Sequence, residues 1–396
     1  MKVLSFTHFL QGPLAAQLLG DFGADVIKVE PLNGAFERRW SGHNAYLNGV
    51  SLNYLLGNRN NRSISVDLKS EVGRQIALRM AEQADVIIEN YRPGVMKRLG
   101  LDYDSLKSRN PRLIYCSCSG YGEDGPYVHL PGQDLLAQAK SGLMTLSGGA
   151  TDPPMALGAP VVDIHASVLA ASAILAAFYA REETGRGIRI ESNLLDAALD
   201  LQIEPLNIYL NGFELYPRSP SGISSRFGQA PYGVFQTLDG YLCLSMVSLE
   251  LLEKAFEDPS FLQWRPSDQF ERREEINQLV AEHMCQKETS YWEQRFQEHG
   301  IWYSLICTYD DVEQNPQVQW NQLFVSVEHP VAGPVRLINN PIRFSEREGQ
   351  EIKPPPEIGQ HTTEILLELG YRAEEIHQLL QSSVVKQAEL KREAAY

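Results

Sequence analysis

A single aspartate, Asp163, stands where an apolar run meets an alanine-rich helical segment in GAPVVDIHASVLAASAILAAFYARE. An aspartate before a helix is a common N-cap, worth about 1 kcal/mol. Small apolar neighbours on both sides predict a poorly solvated carboxylate, which could instead attack a thioester while helix-start amides steady the oxyanion. Both roles stay open from these residues. Metal binding through Asp163 and His165 is not favoured, because no third ligand is nearby.

Basic side chains follow the strand-like stretch DVII in the segment ENYRPGVMKRLG. The pattern places Asn90, Tyr91 and Arg92 at the carboxyl end of a strand, where open α/β sheets bind their ligands. The next helix presents Arg98, and Lys69 after SVDL would join the same edge. A guanidinium pairs well with phosphate oxygens, so this edge favours a phosphorylated small molecule. Ordinary surface cations are the alternative interpretation.

A nicotinamide cofactor is the obvious alternative, because strand, glycine, helix and a second strand ending in Glu30 open the chain. The first turn, FLQGPLAAQLLGDFG, nevertheless lacks the G-x-G-x-x-G that lets a backbone approach a pyrophosphate. A literal match at Gly120, Gly122 and Gly125, in GYGEDGPY, carries two acidic residues and runs into proline. We therefore predict no nicotinamide, and interpret GYGEDGPY as a loop that allows close approach of a substrate.

Strand and helix signals alternate through the first half of the chain. The strand-like segments are KVLSF, ADVIKVE, RSISVDL, DVIIEN and RLIYCSCSG, and helical patterns such as SEVGRQIALRMAEQA separate them. This alternation is typical of βαβ units with a parallel sheet. A long helix is predicted at 164–181. The fold class is therefore α/β, with a Rossmann-like large domain and a smaller α+β domain.

Four regions follow from changes in composition. Residues 1–210 are predicted to form the large α/β domain, and the Gly-, Pro- and Ser-rich residues 211–224 a linker. Residues 225–325 form a small α+β domain, with a hairpin that turns at Asp239-Gly240. Residues 326–396 return to the large domain.

Composition excludes several classes of protein. The 396 residues carry a formal net charge of −15, which argues against nucleic acid as a partner. We see no signal peptide and no apolar run long enough to span a bilayer, so no membrane association is expected. The five cysteines are scattered and lack metal-ligand spacing. We predict a reduced cytoplasmic protein without a metal.

Six blocks then follow in order: GADVIKVEP, NRSISVDLKS, ADVIIENYRPGVMKRLG, NPRLIYCSCSGYGEDGPY, GQDLLAQAKSGLM and ETGRGIRIESNLLDAALDL. Together they resemble the class III CoA-transferases, the CaiB/BaiF family. That family includes formyl-CoA and carnitine CoA-transferases and the α-methylacyl-CoA racemases. The resemblance is strong over residues 1–210 and looser beyond them. It implies an interlocked homodimer that uses coenzyme A as its thioester, moving CoA from an acyl-CoA to a free carboxylic acid.

The resemblance also implies roles for individual residues. Asp163 would be the nucleophile: it attacks the donor thioester to give a mixed anhydride, and CoA then returns to form an aspartyl-CoA thioester that the acceptor carboxylate attacks. Gln133 and Asp134 would flank the acyl group, with Asp134 orienting intermediates. The residues implied to line the CoA site are Phe9, Leu10, Leu68, Lys69, Asn90, Tyr91, Arg92 and Arg98.

The chain departs from the formyl-CoA transferases at two positions and one loop. Those enzymes carry an arginine where this chain has Pro31 and a glutamine where it has Leu10, although Gln11 is adjacent. Their tetraglycine loop is absent, and LSMVSLELLEK stands in its region. The sequence therefore does not predict the formyl/oxalate pair, and it leaves the donor and acceptor to the pocket formed by residues 211–260.

A racemase and a non-catalytic CoA-binding protein are the alternatives to a transferase. The racemase relatives have a histidine immediately before the counterpart of Asp134, and it transfers the α-proton. Here that position is Gln133, whose amide cannot act as a general base. The prediction is therefore CoA transfer rather than racemisation.

Overall fold

A computed structural model of the chain describes residues 1–345 and 352–389. The strands are β1 (Lys2–Phe6), β2 (Asp25–Glu30), β3 (Tyr46–Leu47), β4 (Val50–Ser51), β5 (Asn61–Val66), β6 (Val86–Glu89), β7 (Ile114–Ser119), β8 (Arg189–Asn193), β9 (Tyr232–Gln236), β10 (Tyr241–Ser245), β11 (Tyr303–Leu305), β12 (Phe324–His329), β13 (Gly333–Ile338) and β14 (Val385–Lys386).

The helices are α1 (Gln11–Asp21), α2 (Leu52–Leu56), α3 (Glu71–Gln83), α4 (Val95–Leu99), α5 (Tyr103–Leu106), α6 (Asp134–Lys140), α7 (Val161–Thr184), α8 (Leu194–Asp200), α9 (Ile203–Leu210), α10 (Leu249–Phe256), α11 (Asp268–Glu271), α12 (Arg273–Met284), α13 (Thr289–His299), α14 (Tyr309–Gln314), α15 (Pro316–Trp320), α16 (Thr362–Glu368) and α17 (Ala373–Gln381).

A seven-stranded sheet organises the first part of the chain, in the order β14-β5-β2-β1-β6-β7-β8. Six of these strands are parallel, as predicted, and β14 is antiparallel to β5. The chain moves from β1 to β2 on one side, and β6 pairs with β1 on the other. The strand order thus reverses between β1 and β6, which is where open α/β sheets bind ligands.

Helices cover both faces of this sheet, which explains why its strands are almost continuously apolar. Leu19 of α1 and Ile174 of α7 pack against one face, in a fully buried core with Val3 and Ile88. A second buried core on the other face includes residues from α3, α5, α16 and α17. Each buried aliphatic side chain contributes about 1.5–3 kcal/mol, so the sheet is held from both sides.

Helix α7 begins three residues earlier than predicted and ends before Gly185, whose φ of 66° suits a glycine C-cap. By length and composition alone it could cross a membrane. That corrects the expectation that no apolar segment is long enough, because its alanines and serines extend the run. One face packs against the sheet, whereas the other exposes Ile164, Val168, Leu169, Leu175 and Tyr179.

The chain divides into two compact units, the first comprising Met1–Ala137, Pro160–Ala198 and the described part of Gln317–Tyr396. The second comprises Gln138–Ala159 and Leu199–Pro316, so it includes the predicted linker and parts of the predicted large domain. Its sheet has the order β11-β10-β9, and the predicted Asp239-Gly240 turn joins β9 to β10. Residues 346–351 and 390–396 of the predicted C-terminal region lie outside the described residues.

Candidate active site

Asp163 is the third residue of α7, and another aspartate caps that helix. Oδ1 of Asp134 accepts hydrogen bonds from the backbone N–H groups of Val162 (2.8 Å) and Asp163 (3.0 Å). Pro160 precedes the helix and offers no side-chain cap. Asp134 therefore fills the capping role that the sequence left open for Asp163. It also occupies the amides that we expected to steady an oxyanion.

The carboxyl group of Asp163 has a strongly altered pKa. Burial, and secondarily the negative charge of Asp134, raise the pKa of Asp163 to about 7. A carboxylate that is both poorly solvated and close to a like charge is more basic than an exposed one. Near neutral pH the ionised form is therefore present and is a better nucleophile than an ordinary aspartate.

Two glycines in direct contact position Asp134. A Cβ added at Gly120 would lie 2.5 Å from the Cα of Gly132, and one added at Gly132 would lie 2.3 Å from the Cα of Gly120. Gly132 comes two residues before Asp134. The glycine-rich loop GYGEDGPY was expected to admit a substrate. At Gly120 it instead admits the backbone that leads into α6.

The loops after β1 and β6 meet at the sheet's point of reversal. The side chain of Asn90 accepts from the backbone N–H of His8 (2.9 Å) and donates to the backbone carbonyl of the same residue (2.7 Å). The rings of His8 and Tyr91 stack with centroids 5.7 Å apart. Phe9 has a φ of 61°, a left-handed conformation that is rare for a bulky residue.

A hydroxyl connects this edge to the start of α7. The Oγ of Ser167 lies 2.7 Å from the backbone carbonyl oxygens of both Gln11 and Asp163. The start of α1 and the first turn of α7 are therefore fastened together within the first unit. Ser167 was not predicted from the sequence. The only local signal was a small polar residue one helical turn after Asp163.

The cations predicted to line the edge are solvent-exposed. Lys69 follows β5, Arg92 follows β6, and Arg98 lies in the last turn of α4. Within the described ranges none of the three forms an ion pair with another residue. Leu68 is half-buried and packs with Tyr91 against the sheet's apolar core. Unpaired cations around a ligand edge leave their charge available to an anion.

A buried ion pair lies beneath the loop after β1. The Nζ of Lys28 is 3.1 Å from Oε1 of Glu37 and 3.0 Å from the carbonyl oxygen of Thr7, and neither charged side chain is exposed. Oε2 of Glu37 accepts from the backbone N–H of Phe9 at 3.0 Å. This pair was not predicted from the sequence, because nothing local marks Lys28 and Glu37 as partners.

Glu30 stands where a ribose-binding carboxylate would be expected in a nicotinamide enzyme. Its oxygens instead accept from Arg38, at 2.6 and 2.7 Å. Burial alone would raise the pKa of Glu30, but the charge and hydrogen bonds of Arg38 outweigh it and lower the pKa to about 2. Because Arg38 engages both oxygens, Glu30 is not presented to a ribose.

Glu89 is a second carboxyl group that titrates near neutrality. It ends β6, accepts from the backbone N–H of Tyr91 at 3.0 Å, and has its pKa raised to about 7 by burial. Gln133, by contrast, is exposed and immediately precedes α6. Within residues 1–345 and 352–389, no group of three or more His, Cys, Asp or Glu side chains is arranged to hold a metal ion.

The segment LSMVSLELLEK, which lies in the second unit, is mostly helical. Strand β10 ends at Ser245, Met246 has a φ of 53°, and the Oγ of Ser248 accepts from the N–H of Leu251 to cap α10. A capped helix does not have the backbone freedom of consecutive glycines. The sequence difference from the formyl-CoA transferases is therefore also a difference in secondary structure.

Comparison with known proteins adds independent information. The model of CoA-transferase family III matches residues 1–362. The chain is 34% identical to succinyl-CoA:glutarate CoA-transferase of Mus musculus, over 99% of this chain and 91% of that one. It is 32% identical to formyl-CoA:oxalate CoA-transferase of Streptomyces coelicolor, over 97% and 98%. A CAIB/BAIF family crystal structure from Brucella suis superposes with a TM-score of 0.79 at 30% identity, covering 93% of this chain and 98% of that one.

Proposed function

This chain belongs to CoA-transferase family III and is an acyl-CoA:carboxylate CoA-transferase, and from that premise we propose that Asp163 is its covalent nucleophile. In this proposal Asp163 carries first the acyl group and then CoA. A coenzyme A thioester is both substrate and product. Asp134 positions the first turn of α7, from which the nucleophile projects.

The environment of Asp163 is the observation that carries the proposal. Its carboxylate is largely buried beside Asp134, and within the described part of the chain no hydrogen bond to it is found. Its own backbone amide is already bound to Asp134. A buried carboxylate that neither caps a helix nor pairs with a cation has no structural role that offsets its desolvation. Such a group is expected at a catalytic position.

The transfer needs four acyl substitutions and no net proton. Asp163 attacks the thioester carbonyl and the C–S bond breaks. CoA departs as the thiolate, and a mixed anhydride joins Asp163 to the donor acyl group. The thiolate then attacks the carbonyl carbon of Asp163, which releases the donor acid and forms the aspartyl-CoA thioester. The acceptor carboxylate attacks that thioester and expels the thiolate, giving a second anhydride. Attack of the thiolate on the acceptor carbonyl yields the new acyl-CoA and restores Asp163.

Coenzyme A is proposed to bind where the loops after β1, β5 and β6 meet. Lys69, Arg92 and Arg98 are exposed and lack ion pairs to other described residues, so they suit the phosphates of CoA. Phe9 and Leu10 lie at the start of α1, which Ser167 fastens to the helix of Asp163. The thioester end of CoA would therefore approach Asp163 from this edge.

A homodimer is also proposed, and the outer face of α7 supports it. The face exposes Ile164, Val168, Leu169, Leu175 and Tyr179, which are between 37% and 76% accessible. A contiguous apolar stripe of this kind marks an interaction surface. A second copy of the chain is the proposed partner, since the resemblance to class III enzymes implies a dimer.

The donor is proposed to be the CoA thioester of a small carboxylic acid, and the acceptor is proposed to be another small carboxylic acid. The relatives compared above are named for succinyl-CoA with glutarate and for formyl-CoA with oxalate. The helical LSMVSLELLEK segment disfavours the formyl/oxalate pair, because the formyl-CoA transferases have a tetraglycine loop in this region. A dicarboxylic acid such as succinate or glutarate is therefore the first acceptor to test.

The mass of the intact protein after incubation with a panel of acyl-CoAs tests the nucleophile. The wild type should gain the mass of CoA minus water, and Asp163→Asn should not. Asp134→Asn is the matched control, because it also removes one carboxylate from the site but should retain the adduct. Panel members that give the adduct identify the donor.

An adduct that persists in Asp163→Asn would contradict the assignment of the nucleophile. Exchange of the α-proton of a 2-methylacyl-CoA with deuterated water, without any transfer of CoA, would instead establish a racemase. Turnover retained in Asp163→Ala would equally exclude Asp163 from the covalent step.

A further inference from the structure

The resemblance to class III enzymes implies that Asn90 contacts coenzyme A, but in the structure its side chain binds the backbone of His8. Oδ1 of Asn90 accepts from the N–H of His8, and Nδ2 donates to the carbonyl oxygen of His8. These two bonds use the acceptor and one donor of the amide, and they fix both backbone groups of one residue. A Cβ added at Gly12 would lie 3.3 Å from the Cγ of Asn90, so the amide is also enclosed by the start of α1.

The residue after His8 has an unfavourable backbone conformation. Phe9 has a φ of 61°, which brings the Cβ of an L-residue too close to its own backbone. Strain of this kind persists only where surrounding contacts impose it, and it concentrates at functional sites. Phe9 is 41% exposed as a residue, although its ring contacts Phe36, so burial of the side chain does not account for the conformation.

Three side chains hold this turn. Asn90 fixes the N–H and carbonyl of His8, Glu37 accepts from the N–H of Phe9, and Lys28 donates to the carbonyl of Thr7. Lys28 and Glu37 are themselves a fully buried ion pair. Four consecutive backbone groups are therefore bound, and the chain must turn at Phe9.

We propose that Asn90 is a positioning residue that forces the left-handed turn at Phe9, so that residues 9 and 10 are presented in the conformation that coenzyme A requires. It acts through the backbone of His8 and does not contact CoA itself. The inference rests on the proposed CoA site. It changes the role of Asn90 from a ligand contact to a support of the loop after β1.

A double-mutant cycle between Asn90→Ala and Phe9→Gly tests the proposal, because glycine adopts the left-handed turn without strain. The readout is the Kd for free CoA by isothermal titration calorimetry. In the wild-type background Asn90→Ala should weaken CoA binding about tenfold, since the turn relaxes. In the Phe9→Gly background the same change should weaken binding less than about threefold.

Asn110→Ala is the matched control. Asn110 is another half-buried asparagine, and it donates to the backbone carbonyls of Ala81 and Ala84, away from the loop. Its effect should be the same in both backgrounds. If Asn90→Ala weakened CoA binding equally in both backgrounds, Asn90 would be a direct CoA contact and the proposal would be overturned.

Thermal unfolding of the same four proteins gives a readout that does not need CoA. Asn90→Ala should lower Tm less in the Phe9 background than in the Phe9→Gly background, because only with Phe9 does the loss of the two hydrogen bonds also relieve backbone strain. The two hydrogen bonds from Asn90 to the backbone of His8 are called the Asn90 clamp. If the wild type failed to bind CoA while Tm showed this coupling, the proposed CoA site would be wrong but the Asn90 clamp would be correct. If the effects of Asn90→Ala and Phe9→Gly were additive on both Tm and Kd, the proposal that the Asn90 clamp forces the turn at Phe9 would be overturned.

Discussion

Asp134 caps the helix that carries Asp163: one carboxylate oxygen accepts from two amides of the first turn of α7, and one of these is the amide of Asp163 itself. The cap and the proposed nucleophile thus lie side by side, and they repel each other. Removing the charge of Asp134 should therefore change the protonation of Asp163 as well as the stability of the helix.

The first prediction concerns the pH dependence of the reaction in Asp134→Asn. Only ionised Asp163 is a nucleophile, so kcat/KM for the donor should rise with pH through about 7 in the wild type. Asn at position 134 no longer repels the Asp163 carboxylate, so the rise should move to lower pH. Initial rates between pH 5 and 9 measure the shift.

Glu89 supplies the control for that experiment, because its pKa is also raised to about 7. Glu89→Gln should leave the midpoint of the rise unchanged. A midpoint that moves in Glu89→Gln and stays fixed in Asp134→Asn would show that the profile reports Glu89.

The second prediction is that Asp163→Asn stabilises the protein above neutral pH. Since the folded-state pKa of Asp163 exceeds its unfolded value, the folded chain binds more protons between about pH 4 and 7, and stability falls as pH rises through that window. Removing the carboxylate should raise the free energy of unfolding at pH 8 by on the order of 2 kcal/mol. At pH 4 it should change little.

Urea unfolding at pH 4, 6 and 8 measures this difference. Asp239→Asn is a control of opposite sign, because hydrogen bonds from Thr289 lower the pKa of Asp239. It should destabilise at pH 8. A loss of stability in Asp163→Asn at pH 8 would argue that Asp163 has a structural role.

The third prediction concerns the contact between Gly120 and Gly132. An alanine at position 132 would place its Cβ 2.3 Å from the Cα of Gly120, so the backbone leading to Asp134 must move. A displacement of about 1 Å in a catalytic group costs about a hundredfold in rate. Assays of kcat in Gly132→Ala should show a loss of that order, with the circular dichroism spectrum retained.

Gly57→Ala is its matched control, because a Cβ there would meet its neighbours at 3.7 Å, an ordinary contact distance. It should keep full activity. Normal turnover by Gly132→Ala would show that the position of Asp134 tolerates this movement.

The fourth prediction separates the cations at the ligand edge. Arg98→Ala should raise KM for an acyl-CoA about tenfold, because a charge-assisted bond to phosphate is lost. If Arg98 meets the 3′-phosphate, its loss should matter little for the dephospho-CoA thioester. The same comparison for Lys69→Ala and Arg92→Ala assigns the remaining phosphates.

Arg186→Ala serves as the control, since this exposed cation lies beyond the end of α7. Its KM should equal that of the wild type. Unchanged KM values in all three edge variants would place the CoA phosphates elsewhere.

The fifth prediction addresses the apolar face of α7. Val168→Asp should convert a dimer to a monomer in sedimentation-velocity experiments, because it would bury an unpaired charge between the two copies. Val168 is 45% exposed, so the change should cost the isolated chain little. Val72→Asp is the matched control, at a site 48% exposed on α3, and should stay dimeric.

A wild-type protein that sediments as a monomer at micromolar concentration would contradict the dimer. Co-sedimentation of that monomer with lipid vesicles would assign the face of α7 to a membrane instead.

Much of the fold was predictable because its signals are local. The strands of the first 120 residues follow from short, nearly continuous apolar runs, and the amphipathic helices between them follow from a period of 3.6. Strand β14 was not predictable, because two residues, Val385 and Lys386, pair with a strand more than 300 positions earlier. The order of strands in the sheet was not predictable either, because hydrophobic periodicity does not indicate which strands pair with each other.

The site divides in the same way. The apolar surroundings of Asp163 are visible in the sequence itself and drew attention to it, but they left a cap and a nucleophile open, and only the resemblance to class III enzymes favoured the nucleophile. The capping role of Asp134 was not, because the cap lies 28 and 29 positions from the amides that it binds. The clamp of Asn90 on His8 spans 82 positions. Contacts of this range depend on tertiary structure, and no local pattern encodes them.

The pairing of β14 with β5 also bears on how the chain is made. Val66 leaves the ribosome long before Val385 is synthesised, so the outer edge of β5 stays open during most of translation. Ser63 likewise lacks two hydrogen-bond partners until late in synthesis: its Oγ accepts from the N–H of Gly359, and its N–H donates to Nδ1 of His361. An open strand edge is a template for pairing with another chain. The nascent protein therefore exposes this edge of β5 until Val385 and Lys386 have emerged.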